Sequence, residues 1–224
     1  HVSREMIHEG ALLAMAEMIL SGTTSCCDSY FYESNVVQAA IEAGMRIVAG
    51  QGFIDFSPPD AEELRRKAAA AESFIAKWRP LSPMVTPSLF CHSAYTCDPE
   101  TLRTVKRVAD GAGVPFMMHL SETKEEVDII GSRYGAKPVH HLRSLGILGG
   151  QCAIVHGVWL EDDEMDILAQ SGTGVCHCPE SNMKLASGIA RIPELLARGV
   201  AVGLGTDGCA SNNDLDMLLE LDTM

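Results

Sequence analysis

The sequence predicts an α/β fold in the form of an incomplete (β/α)8 barrel, and three observations carry this prediction. Short runs rich in β-branched and small apolar residues alternate with helical stretches of roughly 10–18 residues. These segments recur about every 20–35 residues, a spacing typical of parallel strands joined by right-handed crossovers. Neither a GxGxxG motif nor a P-loop motif follows any of the strands, which argues against a nucleotide-binding open sheet.

Seven segments have the composition of buried strands, and they cover residues 23–30, 46–53, 85–92, 115–121, 152–160, 173–178 and 201–207. A closed barrel of this class has eight strands. The seven segments are therefore interpreted as strands two to eight. Residues 1–224 are interpreted as one domain that lacks the first strand and the C-terminal helices.

Helices are predicted over residues 3–20, 34–43, 60–78, 99–112, 123–134, 139–145, 162–170, 192–198 and 215–224. Ser3 and Asp98 stand where N-caps are expected, and Pro99 falls at a first helical position. Glycines follow several of these segments, for example Gly44 and Gly113, as they do at helix C-termini.

The composition excludes several classes of protein. Apolar residues make up 46% of the chain, and 17 basic against 30 acidic residues give a formal charge of −13. An acidic chain lacks the basic surface that nucleic-acid binding requires, and it is not attracted to anionic membranes. The sequence has no run of about 18 apolar residues that could span a bilayer. We expect a cytoplasmic protein without nucleic-acid or membrane partners.

The eight cysteines are expected to be reduced and mostly buried, because most of them lie in apolar, strand-like runs. Cys176-His177-Cys178 has the appearance of a metal motif. Strand alternation would place both thiols on one face and His177 on the other. A second Cys/His pair does not follow nearby, so a structural zinc site is disfavoured.

Polar side chains collect at the carboxyl ends of the predicted strands, which meet at one mouth in a barrel. Each has a structural interpretation of its own: Asp207 could cap a helix, and Glu122 could be a first-turn helix acid. Several such residues, each ending a different strand, are harder to explain as caps. Imidazole and carboxylate ligands suit zinc, iron or another first-row divalent ion. The candidate metal constellation comprises His92, His119, His156 and Asp207.

Three motifs resemble those of the amidohydrolase superfamily. Segment 119–123, HLSET, resembles the HxxE motif of its fifth strand, and His156 resembles its sixth-strand histidine. Segment 204–208, LGTDG, followed by SNN at 211–213, resembles its eighth-strand aspartate motif. Within the superfamily, segment 179–190 and the SNN segment are most similar to 5′-methylthioadenosine/S-adenosylhomocysteine deaminases. Chlorotriazine hydrolases and guanine deaminases belong to the same branch.

The resemblance implies one divalent metal ion, with zinc expected and iron as the alternative. His119 would be a ligand. Asp207 would be a second ligand and would also take a proton from the attacking water. His156 would hold and polarise that water and is included in the predicted ligand set. The superfamily's first-strand HxH pair is not found here, since His1 is followed by Val2 and Ser3.

The resemblance also implies roles in proton transfer and substrate binding. Glu122 would shuttle a proton to a ring nitrogen of a purine and contact the substrate, and His92 and Ser211 would be substrate contacts. Gln51 stands where some relatives use an arginine to reach the substrate tail. A barrel with a small second domain implies a protein of more than about 400 residues. We expect the present segment, lacking the HxH pair and the flanking β-sandwich, to bind metal poorly and be inactive alone.

The leading functional hypothesis is a metal-dependent hydrolytic deaminase that acts on 5′-methylthioadenosine, S-adenosylhomocysteine or adenosine and releases ammonia. The second hypothesis is a triazine or guanine aminohydrolase or chlorohydrolase of the same branch. The third is a catalytically inactive barrel that serves as a binding module. An open-sheet nucleotide-binding protein is the fourth, and the sequence leaves open whether the protein forms a homo-oligomer.

Overall fold

The computed structural model describes residues 2–223, and its centre is one parallel sheet whose strands follow each other in chain order. The strands are β1 (Ser25–Asp28), β2 (Arg46–Phe53), β3 (Val85–Ser93), β4 (Phe116–Leu120), β5 (Cys152–His156), β6 (Gly174–His177) and β7 (Val202–Leu204). Every neighbouring pair is parallel. A doubly wound sheet reverses its strand order at a switch point, so the open-sheet hypothesis is wrong. The prediction of an incomplete (β/α)8 barrel is confirmed.

Helices connect the strands and precede and follow the sheet. They are α1 (Arg4–Leu20), α2 (Glu33–Ala43), α3 (Ala61–Leu64), α4 (Lys67–Trp78), α5 (Pro99–Ala112), α6 (Lys124–Tyr134), α7 (Pro138–Leu145), α8 (Asp162–Ser171), α9 (Pro179–Lys184), α10 (Ile192–Ala197) and α11 (Met217–Thr223). The single helix predicted over residues 60–78 is wrong, because Arg66 leaves helical geometry at φ −108° and ψ 81° and separates α3 from α4. Helix α9 was not predicted.

Successive side chains along a strand point to opposite faces of the sheet. One face packs against the helices, and the other faces the inside of the curled sheet. Phe116, Met118 and Leu120 of β4 lie in the main apolar cluster with the surrounding helices, whereas His119 falls between them on the other face. The register places His119 beside Val155 of β5. This face is the inside of the curled sheet, where residues of successive strands approach one another.

Asp98 caps helix α5 as predicted, and its carboxylate accepts a hydrogen bond from the backbone N–H of Thr101 at 2.7 Å. The Asp98→Ala substitution is expected to lower the free energy of unfolding by about 1 kcal/mol, because one helix-end donor loses its partner. Chemical denaturation of the two proteins measures this difference. The Asp98→Asn variant keeps an acceptor oxygen and is the control; an equal loss in both variants would contradict a capping role.

Asp28 and Glu33 form a carboxyl pair between the sheet and α2. Burial raises the pKa of both groups, and the Asp28 charge raises the pKa of Glu33 further. Within residues 2–223, Asp28 Oδ2 and Glu33 Oε1 have no other hydrogen-bond partner. A proton shared between the two carboxyl groups would supply the missing donor.

This pair makes stability depend on pH. An acid whose folded pKa is raised stabilises the fold at low pH, and that contribution is lost as pH rises from the unfolded pKa, about 4, through the folded value. The Asp28→Asn variant is expected to flatten this decline by up to about 1.4 kcal/mol per pH unit, the slope for one proton. Urea unfolding between about pH 5 and pH 9 measures it. Glu72→Gln, at an exposed position of α4, is the control, and equal slopes in wild type and Asp28→Asn would contradict the shared proton.

All eight cysteines are free thiols. Four of them are buried, Cys26 and Cys176 are half-buried, and Cys27 and Cys209 are exposed, so the expectation that most cysteines are buried is wrong. A Cβ placed on Gly205 would meet the sulfurs of both Cys176 and Cys178, which confirms that these two thiols share a face. Within the described part of the chain, no helix has the length and apolar character needed to cross a membrane.

Candidate active site

Three of the residues at the strand ends have left-handed backbone conformations. Ser121, His156 and Asp207 have φ values of 53°, 76° and 59°. Non-glycine residues adopt such values at a cost of about 1–3 kcal/mol each, and they cluster at functional sites. His156 is paired in register with Leu120, which faces the helices. Regular alternation would therefore point the His156 side chain towards the helices. The left-handed backbone at His156 lets its side chain face the mouth instead.

The structure brings together the residues that the sequence singled out. The rings of His119 and His156 are stacked with their centroids 5.4 Å apart. His156 Nε2 lies 3.8 Å from Glu122 Oε2 and 4.0 Å from Asp207 Oδ2. The His92 ring lies edge-on to His119, with 5.1 Å between centroids. These side chains come from β3, β4, β5 and the segments that follow β4 and β7.

The tautomers of the two stacked histidines are set by their Nδ1 partners. His119 Nδ1 lies 2.8 Å from the backbone oxygen of His92, and His156 Nδ1 lies 3.0 Å from the amide oxygen of Asn182. An oxygen of either kind only accepts, so a proton on Nδ1 satisfies each contact and leaves a lone pair on Nε2. Burial lowers the pKa of both rings, which favours the neutral form.

Asp207 is held as a carboxylate. Burial by itself would raise its pKa, but hydrogen bonds from Ser181 and Ser211 outweigh burial and leave the pKa below its ordinary value. Both hydroxyls donate to Oδ2 at 2.7 Å, and the backbone N–H of Gly208 donates to Oδ1 at 2.9 Å. Ser211, predicted as a substrate contact, is therefore placed by the structure directly against Asp207.

Glu122 lies on a fixed turn, and the pKa of its carboxyl is raised. The Glu126 carboxylate accepts the backbone N–H groups of Ser121 and Glu122 at 3.0 and 2.9 Å and so fixes the turn that carries Glu122. Burial raises the pKa of the Glu122 carboxyl above its ordinary value, against the opposing effect of His119. A carboxyl group of this kind is a better proton donor at neutral pH than an exposed glutamate.

His92 is a neutral imidazole beside this cluster. Burial, followed by the neighbouring His119, lowers its pKa to about 4. Its Nδ1 lies 3.0 Å from the hydroxyl of Thr96, which in turn lies 2.7 Å from the hydroxyl of Ser93. The ring can thus present Nε2 to a ligand in the mouth, and the substrate contact assigned to His92 remains a prediction.

The donor set fits a divalent metal ion in part. Two ligands bonded to one ion at about 2.0–2.2 Å lie at most about 4.4 Å apart, and His156 Nε2 and Asp207 Oδ2 satisfy this limit at 4.0 Å. The Nε2 lone pair of His156 also faces the oxygens of Glu122 and Asp207 and not a hydrogen-bond donor. The lone pair of a metal ligand would be placed in the same way. Across residues 2–223, however, no group of three or more His, Cys, Asp or Glu side chains is arranged to hold an ion by itself. Further ligands would have to complete the site.

Two further residues of the site, Ser181 and Asn182, follow the sixth predicted strand, at the edge where polar residues are expected to gather, but no role is predicted for either. Their short helix α9 was not predicted. Pro179, at the first helical position, was the available signal. Gln51 shares its register position with Leu89, a core residue, and therefore faces the helices rather than the mouth. Its position does not support a contact with a substrate tail.

Comparison with known proteins agrees with this geometry. The model of the amidohydrolase family matches residues 2–224. A 5-methylthioadenosine/S-adenosylhomocysteine deaminase of Syntrophobacter fumaroxidans is 45% identical over 99% of this chain and 50% of its own length. A 5′-deoxyadenosine deaminase of Methanopyrus kandleri is 44% identical over 95% of this chain and 49% of its own length. The chain thus spans about half the length of these curated relatives.

The same fold is found in solved structures. A zinc-bound adenosine deaminase from Xanthomonas campestris superposes with a TM-score of 0.94 and 34% identity, over 100% of this chain and 51% of that one. A guanine deaminase from C. acetobutylicum, at 19% identity and a TM-score of 0.91, covers 99% of this chain and 55% of its own, and shares the fold. With its family match over nearly every residue and its sequential parallel strands, the chain belongs to the amidohydrolase family.

Proposed function

We propose that this chain carries the proton-transfer groups and part of the metal site of a hydrolytic deaminase that acts on purine nucleosides. The observation that carries the proposal is the convergence of His119, His156, Glu122 and Asp207 at one mouth. The names of the relatives support the substrate class, which would include 5′-methylthioadenosine, S-adenosylhomocysteine and adenosine. The products would be an inosine-type nucleoside and ammonia.

His119, Asp207 and His156 would hold the divalent ion together with ligands from outside residues 2–223. Zinc is the proposed ion, supported by the zinc in the related adenosine deaminase structure, and iron is the alternative. A bound divalent ion of this kind supplies a nucleophile at neutral pH by lowering the pKa of water to about 7.

The side chains of this chain would carry the protons. Water adds to C6 of the purine ring, and the Asp207 carboxylate takes a proton from it; where the single Nε2 lone pair of His156 does not bind the ion, it orients this water. Glu122 delivers a proton to the neighbouring ring nitrogen as C6 becomes tetrahedral. The amino group then leaves as ammonia with a further proton from the same relay, so one water is consumed for each ammonia released.

His92, Glu122 and Ser211 are proposed to contact the substrate. The His92 ring stands at the edge of the cluster with a polar nitrogen available. The Ser211 hydroxyl is held beside the mouth by the hydrogen bond that it donates to Asp207. The proposal also includes a cytoplasmic location and a small-molecule nucleoside as partner. Residues 1–224 are proposed to form one barrel domain.

The test is ammonia release from a panel of compounds by the full natural chain loaded with zinc. We expect turnover of 5′-methylthioadenosine, S-adenosylhomocysteine or adenosine. Ammonia from guanine alone, or ammonia or chloride from a triazine alone, would overturn the substrate class in favour of the second hypothesis. Binding of these compounds without any turnover would indicate an inactive binding module.

A further inference from the structure

Asn182 contacts a predicted site residue, although no role is predicted for Asn182 from the sequence. It lies in α9, is 2% exposed, and its amide oxygen accepts the Nδ1 proton of His156 at 3.0 Å. We infer that Asn182 is a positioning residue that holds His156 in the tautomer protonated on Nδ1. The Nε2 lone pair is thereby turned towards Glu122 and Asp207. The effect on turnover rests on the proposed function, whereas the hydrogen bond does not.

The tautomer decides what His156 can do. A neutral imidazole has one donor and one acceptor nitrogen. With its proton on Nε2, His156 could act towards the mouth only as a donor, and its distances of 3.8 and 4.0 Å to the two carboxylates are too long for direct hydrogen bonds. With its proton on Nδ1, the ring offers an acceptor that can orient a water or bind an ion.

The backbone that carries this acceptor is held in place. Asn182 lies in the first turn of α9, where its N–H donates to the backbone oxygen of Cys178 at 2.9 Å, and its own backbone oxygen accepts from Ser187 at 2.9 Å. His119 has the same arrangement with a backbone acceptor, the His92 oxygen at 2.8 Å. The two stacked rings thus reach the same tautomer by different means, and only the Asn182 partner can be removed by mutation.

The orientation of the amide is open to direct measurement. Reversing it would place Nδ2 against Nδ1 of His156 and require the proton on Nε2. The protonated nitrogen of His156 therefore reports which Asn182 atom faces the ring. Long-range proton–nitrogen NMR of the metal-free full natural chain, labelled with ¹⁵N-histidine, distinguishes the two tautomers. The His156 signals are identified by their loss in His156→Gln.

We expect the Nδ1–H form in wild type and in Asn182→Asp, which keeps an acceptor oxygen. In Asn182→Leu, which fills similar space without an acceptor, we expect the Nε2–H form to appear. A wild-type ring protonated on Nε2 would overturn the inference without reference to any variant. An unchanged tautomer in a folded Asn182→Leu protein would also overturn it.

The kinetic consequence is tested separately. Loss of an orienting partner typically costs about 10- to 100-fold in metal affinity or activity, so kcat and zinc affinity of Asn182→Leu should fall by this factor, with Asn182→Asp recovering most of it. Asn35→Leu, on α2, which contributes no residue to the site, should match wild type. Nδ1–H in wild type and its loss in Asn182→Leu, without ammonia from any purine, would uphold the positioning role and refute the deaminase proposal. Deaminase activity with an unchanged tautomer in Asn182→Leu would uphold the deaminase proposal and refute the positioning role.

Discussion

Replacing Asp207 with asparagine is expected to abolish ammonia formation and to remove most of the bound metal. The amide has nearly the same shape, but it lacks the negative charge that the Ser181, Ser211 and Gly208 hydrogen bonds stabilise in the wild type. It can neither accept a proton from water nor balance the charge of a divalent ion. We expect a loss of about 10⁴-fold or more in kcat/KM, beyond the upper end of a general-base contribution alone, because one carboxylate serves both purposes.

Metal analysis and an ammonia assay on the full natural chain measure the two effects together. Asp128→Asn is the matched control, since Asp128 is an exposed carboxylate of α6. It should retain wild-type metal content and activity. If Asp207→Asn keeps a full complement of metal and a rate within tenfold of wild type, Asp207 is neither ligand nor base, and the proposed function loses its central residue.

The architecture could be read from the sequence because the central strands β2, β3 and β4 are largely buried on both faces. Their near-continuous apolar runs, such as the one in β4, stand out against the amphipathic helices between them. The seven strands were predicted within a few residues of their observed bounds, and so was their parallel arrangement. The break at Arg66 could not be predicted, because no proline or glycine marks it and the flanking residues favour helix.

The site was harder to predict than the fold. The positions of His119 and Asp207 at strand ends were sufficient to place them at the mouth, because parallel strands end at one edge. His156 would be predicted by simple alternation to face the helices, and only its left-handed φ of 76° reverses this. Backbone conformation of this kind comes from tertiary packing. For the same reason, the hydrogen bond that Ser181 donates to Asp207 and the one that Asn182 accepts from His156 could not be read from residue spacing.

Glu122 provides the second large effect, and it differs in kind from that of Asp207. Its carboxyl lies 3.8 Å from His156 Nε2, and burial raises its pKa. The Glu122→Gln substitution is expected to lower kcat by about 10²- to 10⁴-fold, the usual contribution of a general acid. KM should change little, because the glutamine amide still donates a hydrogen bond to a ring nitrogen but cannot transfer its proton. Metal content should match wild type.

Steady-state kinetics with the best purine of the panel, together with metal analysis, separate proton transfer from metal binding. Glu125→Gln is the control, because Glu125 is an exposed residue of the first turn of α6 and contacts neither histidine. A rise in KM at unchanged kcat would make Glu122 a binding residue only, since uniform binding affects KM rather than the chemical step. Loss of metal in Glu122→Gln would instead assign Glu122 to the ligand set. The combination of full metal occupancy, unchanged KM and a greatly reduced kcat is the result that a proton shuttle requires.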